Sequence, residues 1–203
     1  ASVSSGHNGY LSRFATTPES VKWVSIDLLK PELVEIVKLY PAAPIDVNPA
    51  QPGYLFPMRF RIDISDKSDF SSYETVADET SHDFTNPGSI PAEFHFKPRL
   101  GRYVRLWVTR LAHAGEGRFG FALAEMEVLK TLGAPPFAQL PLSRAGARPS
   151  ASDSAEGGDW SIENLNDNVV TSQPQKAGSA APAVYFRKVI SLDGPVRRAR
   201  LYA

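Results

Sequence analysis

A glycine-rich segment, four histidines, several acidic clusters and three tryptophans are the residues of this chain that could do chemistry. Gly115-Glu-Gly-Arg-Phe-Gly120 has the G-x-G-x-x-G spacing in which backbone amides hold a phosphate at a helix N-terminus. A dinucleotide site also needs an acidic residue about 20 positions later to bind the ribose. No Asp or Glu occurs between Glu127 and Asp153. We therefore predict a hairpin loop here rather than a nucleotide site.

The histidines and serines do not form a catalytic pattern. His7, His82, His95 and His113 are scattered, and no pair has the H-x-x-x-H spacing of metal ligands on one helix face. The chain contains no G-x-S-x-G, so no serine is marked as a nucleophile. We expect His95 to be solvated on a strand, whereas His7 and His113 fall in predicted loops where they could contact a sugar.

The acidic residues and tryptophans have plainer interpretations than catalysis. Asp63, Asp66 and Asp69 could suggest paired carboxylates for glycoside hydrolysis, but Asp66-Lys-Ser-Asp69 is typical of a solvated turn after a strand. The tryptophans lie in apolar strand contexts, which favours packing over a role as sugar-stacking platforms; they are Trp23, Trp107 and Trp160. The sequence thus predicts no catalytic residues.

Composition narrows the possible partners. Lys+Arg and Asp+Glu number 22 each, so no basic field exists to attract nucleic acid or an anionic membrane. The absence of cysteine removes disulfides and thiolate metal sites. Ala1-Ser-Val-Ser-Ser5 is not a signal peptide, and we expect the chain to be a piece of a longer protein. A neutral ligand such as a carbohydrate fits this balance.

The elements that must position these residues are predicted to be strands. Phe60 to Ser65 alternates strictly, with Phe60, Ile62 and Ile64 facing inward, and Tyr103 to Thr109 places Tyr103, Arg105 and Trp107 on the outward face. Residues 33–40 and 121–132 also have helical features, but the surrounding all-β pattern favours strands. Short alternating strands separated by Pro and Gly turns predict an all-β sandwich.

Three regions follow from composition. Residues 1–130 are predicted to form the sandwich. Residues 131–183 are rich in Ala, Ser, Gly and Pro and predict a linker with a small ordered island around 160–165. Residues 184–203 regain strand character and predict the incomplete opening strands of a second β-domain.

Several motifs, in this order along the chain, resemble the discoidin family of coagulation factor V/VIII type C modules. They are Trp23-Val-Ser-Ile-Asp-Leu28, Gly53-Tyr-Leu-Phe-Pro-Met-Arg-Phe60, Arg102-Tyr-Val-Arg-Leu106 and Ala124-Glu-Met-Glu-Val128. Leu29 and Lys30 replace the glycine that usually follows the first strand. The resemblance implies a galactose-binding-like jelly-roll sandwich that binds a ligand without catalysing a reaction.

A second resemblance concerns the C-terminal part of the chain. Ala151-Ser-Asp-Ser154 with Trp160-Ser161, and the stretch Val184 to Ala203, are similar to the N-terminal region of bacterial α-L-rhamnosidases of glycoside hydrolase family 78. This implies a secreted or periplasmic parent enzyme whose catalytic domain, absent from this sequence, would be the partner of the sandwich. Enzyme activity would then belong to the parent protein alone.

The discoidin resemblance implies that loops at one end of the sandwich contact a carbohydrate, and the rhamnosidase resemblance implies a plant-type oligo- or polysaccharide. By position, those residues are His7, Asn8, Tyr10, Arg13, Tyr54, Phe56, His113, Arg118 and Phe119. Glu125 matches a ligand of the structural calcium ion found in this family. Two alternatives stay open: a structural spacer, which predicts buried loop aromatics, and a protein or lipid adhesion module, for which Tyr54-Leu-Phe56 is the candidate apolar spike.

Overall fold

The computed structural model describes residues 8–45, 51–132, 138–143 and 146–167, which form an all-β structure. His7 and the predicted strands of 184–203 lie outside the described residues. In chain order the elements are β1 (Tyr10–Leu11), β2 (Lys22–Tyr40), β3 (Arg59–Ser65), β4 (Glu74–Glu79), β5 (Ala92–Arg110), β6 (Ala112–Gly115), β7 (Arg118–Gly120), β8 (Ala122–Leu123), β9 (Glu125–Leu132), β10 (Ala138–Pro141), β11 (Arg148–Ala151) and a 3₁₀ helix (Ile162–Leu165).

Two 19-residue strands, β2 and β5, build both layers of the sandwich. The first half of β2 and the second half of β5 pair with each other and form one layer in the order β11-β2-β5-β3-β4. The second half of β2 pairs with β9 and with the first half of β5, and β10 extends this second layer. Each long strand therefore passes from one layer into the other.

The passage between the layers occurs at a bend in β2. The register with β5 shifts between Asp27 and Glu32, and Leu29 has a φ of 70°, in the left-handed region that favours glycine. The Asp27 carboxylate accepts a hydrogen bond of 2.8 Å from the Leu29 amide. A side-chain hydrogen bond thus supports the bend where the sequence lacks the expected glycine.

One apolar core lies between the layers. The inward residues of both layers belong to a single cluster, which includes Val24, Ile26, Val37, Leu39, Ile62, Val104, Leu106, Met126 and Val128. Each such aliphatic side chain contributes roughly 1.5–3 kcal/mol on burial. The predicted all-β sandwich is therefore confirmed.

The segment with helical spacing, residues 33–40, is a strand as predicted. Ile36 and Val37 are adjacent and both buried, which means that both faces of β2 are covered here. A strand that is buried on both faces has apolar residues without strict alternation, and this produced the apparent helical pattern. Residues 125–132 form β9, also in agreement with the strand prediction.

The region predicted as a linker contains more regular structure than its composition indicated. β10 pairs with β9, β11 pairs with the first half of β2, and Leu165 of the 3₁₀ helix is fully buried in the core. Pro149 lies in β11, an edge strand, where a missing backbone donor is tolerated. Composition rich in Ser, Ala and Pro therefore does not exclude an edge strand.

Among the described residues, none belongs to a helix with the length and apolar character that crossing a membrane would require.

Candidate functional site

A depression at one end of the sandwich gathers three of the predicted contact residues. It has a volume of about 430 Å³ and is lined by residues of the segments 51–58, 84–86 and 112–114. Tyr54, Phe56 and His113 all contribute to it. We call this surface the loop-end depression.

The loop that carries Tyr54 is held by specific backbone contacts. The amide of Tyr54 donates to the carbonyl of Ala42 over 2.9 Å, and Asn86 Nδ2 donates to the carbonyl of Gly53 over 3.0 Å. Gly53 has a φ of 73°, and a Cβ there would lie 1.9 Å from Asn86 Oδ1. Glycine is required at this position, because any other residue would displace the asparagine that fastens the loop.

The floor of the depression is aromatic. Phe56 is 4% exposed, and its ring lies 5.8 Å from that of Phe84 and 6.2 Å from that of Phe60 in an edge-on arrangement. Such tilted ring pairs stabilise a fixed geometry. Phe56 therefore forms part of the packed base of the depression, with little surface of its own for a ligand.

The rim combines an aromatic wall with hydrogen-bonding groups. Tyr54 is half-buried, with its ring centroid 6.0 Å from that of Trp160. His113 is exposed and packs against Phe119, with 5.2 Å between ring centroids. Within the described residues the imidazole nitrogens of His113 have no hydrogen-bond partner, so both can bind ligand hydroxyls. Gln51 completes the rim.

The hairpin behind His113 is the glycine-rich segment. β6 pairs with β7, and Glu116 and Gly117 between them have φ angles of 51° and 68°. Two consecutive left-handed residues are typical of a tight hairpin turn. The predicted hairpin is confirmed, and it places His113, Arg118 and Phe119 on its two short strands rather than in an irregular loop.

Two predicted contact residues lie beneath the surface. Tyr10 is fully buried, and its hydroxyl donates to the carbonyl of Asp153 over 2.8 Å. Burial, and secondarily the charges of Asp153 and Glu156, raise the pKa of Tyr10. Asn8 is also fully buried; its Oδ1 accepts from the amide of Ile45, and its Nδ2 donates to the carbonyl of Gly158. Both side chains hold neighbouring loops together from below.

The predicted arginines are exposed but do not line the depression. Arg118 stacks over Phe14 at 5.1 Å and pairs with Glu116. Arg13 donates from Nε to the carbonyl of Ser154 over 3.2 Å. Carbohydrate contact at these two positions stays a prediction.

Glu125, the predicted calcium ligand, is 1% exposed at the start of β9. Calcium takes six to eight oxygen ligands, usually from several carboxylates and carbonyls. No group of three or more His, Asp or Glu side chains in the described part of the chain is arranged to hold a metal ion. Calcium at Glu125 therefore stays a prediction.

A second pocket, which the sequence did not indicate as a site, lies on the outer face of the first layer. Its volume is about 470 Å³, and we call it the sheet-face pocket. Three outward residues form one row across adjacent strands, because Trp107 is the register partner of both Trp23 and Arg61. Segment 68–73 closes one side of the pocket with Phe70 and Tyr73.

A buried ion network forms the base of the sheet-face pocket. Asp63 is fully buried and accepts hydrogen bonds from Arg105 Nη2 (2.8 Å), Arg61 Nε (3.0 Å) and Thr75 Oγ1 (2.8 Å). The Arg105 guanidinium lies 4.0 Å from the ring centroid of Phe70 and 4.4 Å from that of Trp107. Asp63 was expected near a solvated turn, but it is fully buried, and Arg61, Arg105 and Thr75 donate hydrogen bonds to its carboxylate.

No protein-family model matches the chain, and no curated protein matches it. The solved structures that match the chain include carbohydrate-binding modules from glycoside hydrolases. Chitosan-binding module 1 from a chitosanase/glucanase of Paenibacillus sp. IK-5 is 22% identical, with 57% of this chain and 73% of that chain covered and a TM-score of 0.41. CBM32-1 from a family 31 glycoside hydrolase of Clostridium perfringens is 19% identical, with coverages of 59% and 75% and a TM-score of 0.41.

A third structure contains a sugar. Chitosan-binding module 2 of the same Paenibacillus enzyme, in complex with chitotriose, is 21% identical, with coverages of 52% and 67% and a TM-score of 0.37. These values assign neither a ligand nor a parent enzyme to the present chain.

Proposed function

We propose that this chain is a carbohydrate-binding module and that the loop-end depression binds a neutral sugar. The observation that carries the proposal is the chemistry of the lining. The depression combines an aromatic wall at Tyr54, an imidazole at His113 and an amide at Gln51, within a volume typical of small-ligand sites.

The lining favours a neutral ligand because it contains no Asp, Glu, Lys or Arg among the described residues. A sugar ring presents C–H faces that can lie against Tyr54, and hydroxyls that can exchange hydrogen bonds with His113 and Gln51. Neither interaction needs a compensating charge. A few such contacts must offset the ordering of the ligand, so we expect weak affinity.

The parent protein is part of the same proposal. The similarity of 151–161 and 184–203 to bacterial α-L-rhamnosidases supports an accessory role in a secreted or periplasmic glycoside hydrolase of that type. The partner of this module would be the catalytic domain of the same parent chain.

One observation favours a structural spacer as the second candidate. Tyr10 and Asn8 are fully buried and Phe56 is nearly so, which places three predicted contact residues inside the protein. The adhesion alternative lacks its candidate spike, because Leu55 and Phe56 are 7% and 4% exposed.

The decisive experiment is a titration of the whole chain with rhamnose, galactose and rhamnogalacturonan fragments. NMR chemical shifts monitor binding, once in the presence of calcium and once in the presence of EDTA. We expect shifts around Tyr54 and His113, and His113→Ala should weaken binding by roughly threefold to tenfold, the loss of one hydrogen bond. His95→Ala removes another exposed imidazole, on β5 and outside the depression, and should leave binding unchanged. Silence across all sugars would favour the spacer.

A further inference from the structure

We propose that the sheet-face pocket is a second binding site and that it takes a carboxylate-bearing sugar ring of the uronic acid type. This inference does not depend on the proposed function, because the two pockets share no lining residue.

Two arginines give the base of the sheet-face pocket positive charge. Two guanidinium groups, Arg61 and Arg105, share the single buried carboxylate of Asp63. Their side chains are only 23% and 8% exposed, so solvent screens their charges weakly. Asp69 on the rim is exposed and already accepts a hydrogen bond from the Ser71 amide. The base of the pocket therefore carries one more positive charge than its buried carboxylate neutralises. The negative charges of Asp69 on the rim and of Asp78, the register partner of Arg61 on β4, are exposed and screened by solvent.

The arginines and tryptophans of the sheet-face pocket have unused hydrogen-bond donors. Arg105 uses Nε and Nη2 on Asp63, while Arg61 uses Nε on Asp63 and Nη2 on the hydroxyl of Tyr73. Within the described residues, Nη1 of each guanidinium and the indole N–H groups of Trp23 and Trp107 have no hydrogen-bond partner. A pocket with unused donors selects an acceptor, and a carboxylate is the acceptor that arginine binds most strongly.

One indole of the sheet-face pocket is available to stack on a ligand ring. Arg105 occupies faces of Phe70 and Trp107, and Arg61 stacks on Tyr73. Trp23 is half-buried, lines the pocket and makes no ring or cation contact with the described residues. Its indole is therefore available for the apolar face of a ligand ring. A ring that carries a carboxylate, as in a uronic acid, satisfies all three observations.

The experiment compares digalacturonate with its methyl ester, two ligands that differ in the negative charge. We expect the acid to bind the whole chain, with affinity that falls as salt rises, and the ester not to bind at the sheet-face pocket. The indole N–H signals of Trp23 and Trp107 should shift in the NMR spectrum while that of Trp160 stays. No binding of digalacturonate, or equal binding of the ester, would overturn the proposal.

Two single-residue variants test whether digalacturonate binds at the sheet-face pocket. Arg61→Gln leaves Asp63 paired with Arg105 and Thr75, and should weaken digalacturonate binding about tenfold or more, the loss of a charge-assisted contact. Arg59→Gln removes the same charge two residues earlier on β3, outside the pocket, and should change little. Equal losses in the two variants would mean non-specific attraction and would overturn the site.

Two further measurements test whether the pocket recognises the ring of the ligand as well as its carboxylate, and which of the two pockets binds each ligand. Trp23→Ala, which leaves the ion network intact, should also weaken digalacturonate binding, and acetate should compete poorly. Equal competition by acetate would overturn the assignment of a ring ligand. His113→Ala should reduce neutral-sugar binding alone, so failure of one proposal is distinguishable from failure of the other.

Discussion

The loop-end depression and the sheet-face pocket are similar in volume but are built differently. The first is assembled from three separate segments and has an uncharged lining, whereas the second lies on three adjacent strands and contains two arginines. In the sheet-face pocket, ladder register places Trp23, Trp107 and Arg61 in one row. In the depression, single hydrogen bonds, such as that from Asn86 to Gly53, fix segments 51–58 and 84–86, while segment 112–114 belongs to the β6–β7 hairpin.

The two pockets therefore depend on different contacts for their structure. Many backbone hydrogen bonds between the strands hold the residues of the sheet-face pocket in place. A single substitution therefore affects this pocket mainly through its buried charge. The depression contains no comparable charge, so its weak points are the single contacts that anchor its loops.

The largest effect is expected from Asp63→Asn. The substitution removes the negative charge that Arg61 and Arg105 share, and it leaves Arg105 charged with 8% of its side chain exposed. Breaking a buried pair in this way typically destabilises a protein by about 3–5 kcal/mol. Urea unfolding of the whole chain measures the change.

Glu74→Gln is the matched control on the neighbouring strand. Glu74 pairs with Arg99, and the two side chains are 55% and 38% exposed. An exposed pair of this kind contributes about 1 kcal/mol or less. If Asp63→Asn costs no more than the control, the buried network does not hold the sheet-face pocket together.

The sequence predicted the sheet-face residues only in part. Strict alternation places Arg61, Asp63, Arg105 and Trp107 on the outward face, and the structure confirms this orientation. Register between distant strands cannot be read from alternation, so the proximity of Arg61 to Trp107 was not predictable. Nor does local pattern show that Asp63 is fully buried.

The loop-end residues were predictable to a different extent. Tyr54 and His113 were expected in one set of loops, and the structure brings them together. Tyr10 was expected beside them, yet it is buried because β1 pairs with β8 and its hydroxyl reaches Asp153, 143 residues away. A contact of such sequence separation depends on tertiary structure that a single sequence does not reveal.

An intermediate effect is expected from Tyr10→Phe, which acts beneath the loop end. The ring keeps its contact with Phe121, whose centroid is 5.3 Å away, but the hydrogen bond to the Asp153 carbonyl is lost. Loss of one buried hydrogen bond costs about 1 kcal/mol. Tyr73→Phe, which alters an exposed tyrosine of the sheet-face pocket, should change the unfolding free energy less.

The difference in stability between the wild type and Tyr10→Phe should depend on pH. Because burial raises the pKa of Tyr10, the folded protein keeps a proton that the unfolded chain releases above about pH 10. The stabilisation from Tyr10 is therefore complete below that pH and declines as pH rises further. Denaturation measured from pH 8 to 11 should show the difference between wild type and Tyr10→Phe shrinking; a constant difference would show that Tyr10 titrates alike in both states.

The smallest effect is expected from Asp27→Asn, in the row next to Asp63 on the same sheet face. Asp27 accepts two hydrogen bonds from Arg102, of 2.7 and 2.8 Å, and these lower its pKa, with a further contribution from the Leu29 amide. The folded state therefore favours the charged carboxylate. Its stabilisation is present above about pH 4, the ordinary range of aspartate, and is lost as pH falls below it.

Asparagine keeps an acceptor for the Leu29 amide, so the variant removes the charge without removing the support of the bend. The side chains of Asp27 and Arg102 are 20% and 37% exposed, so salt should reduce the effect at neutral pH, and the stability difference between the two proteins should shrink as pH falls below about 4. Thermal unfolding between pH 2.5 and 7 tests this. A loss as large as that of Asp63→Asn would mean that burial does not separate the two carboxylates, and the contrast between a buried and an exposed charge on this face would have to be abandoned.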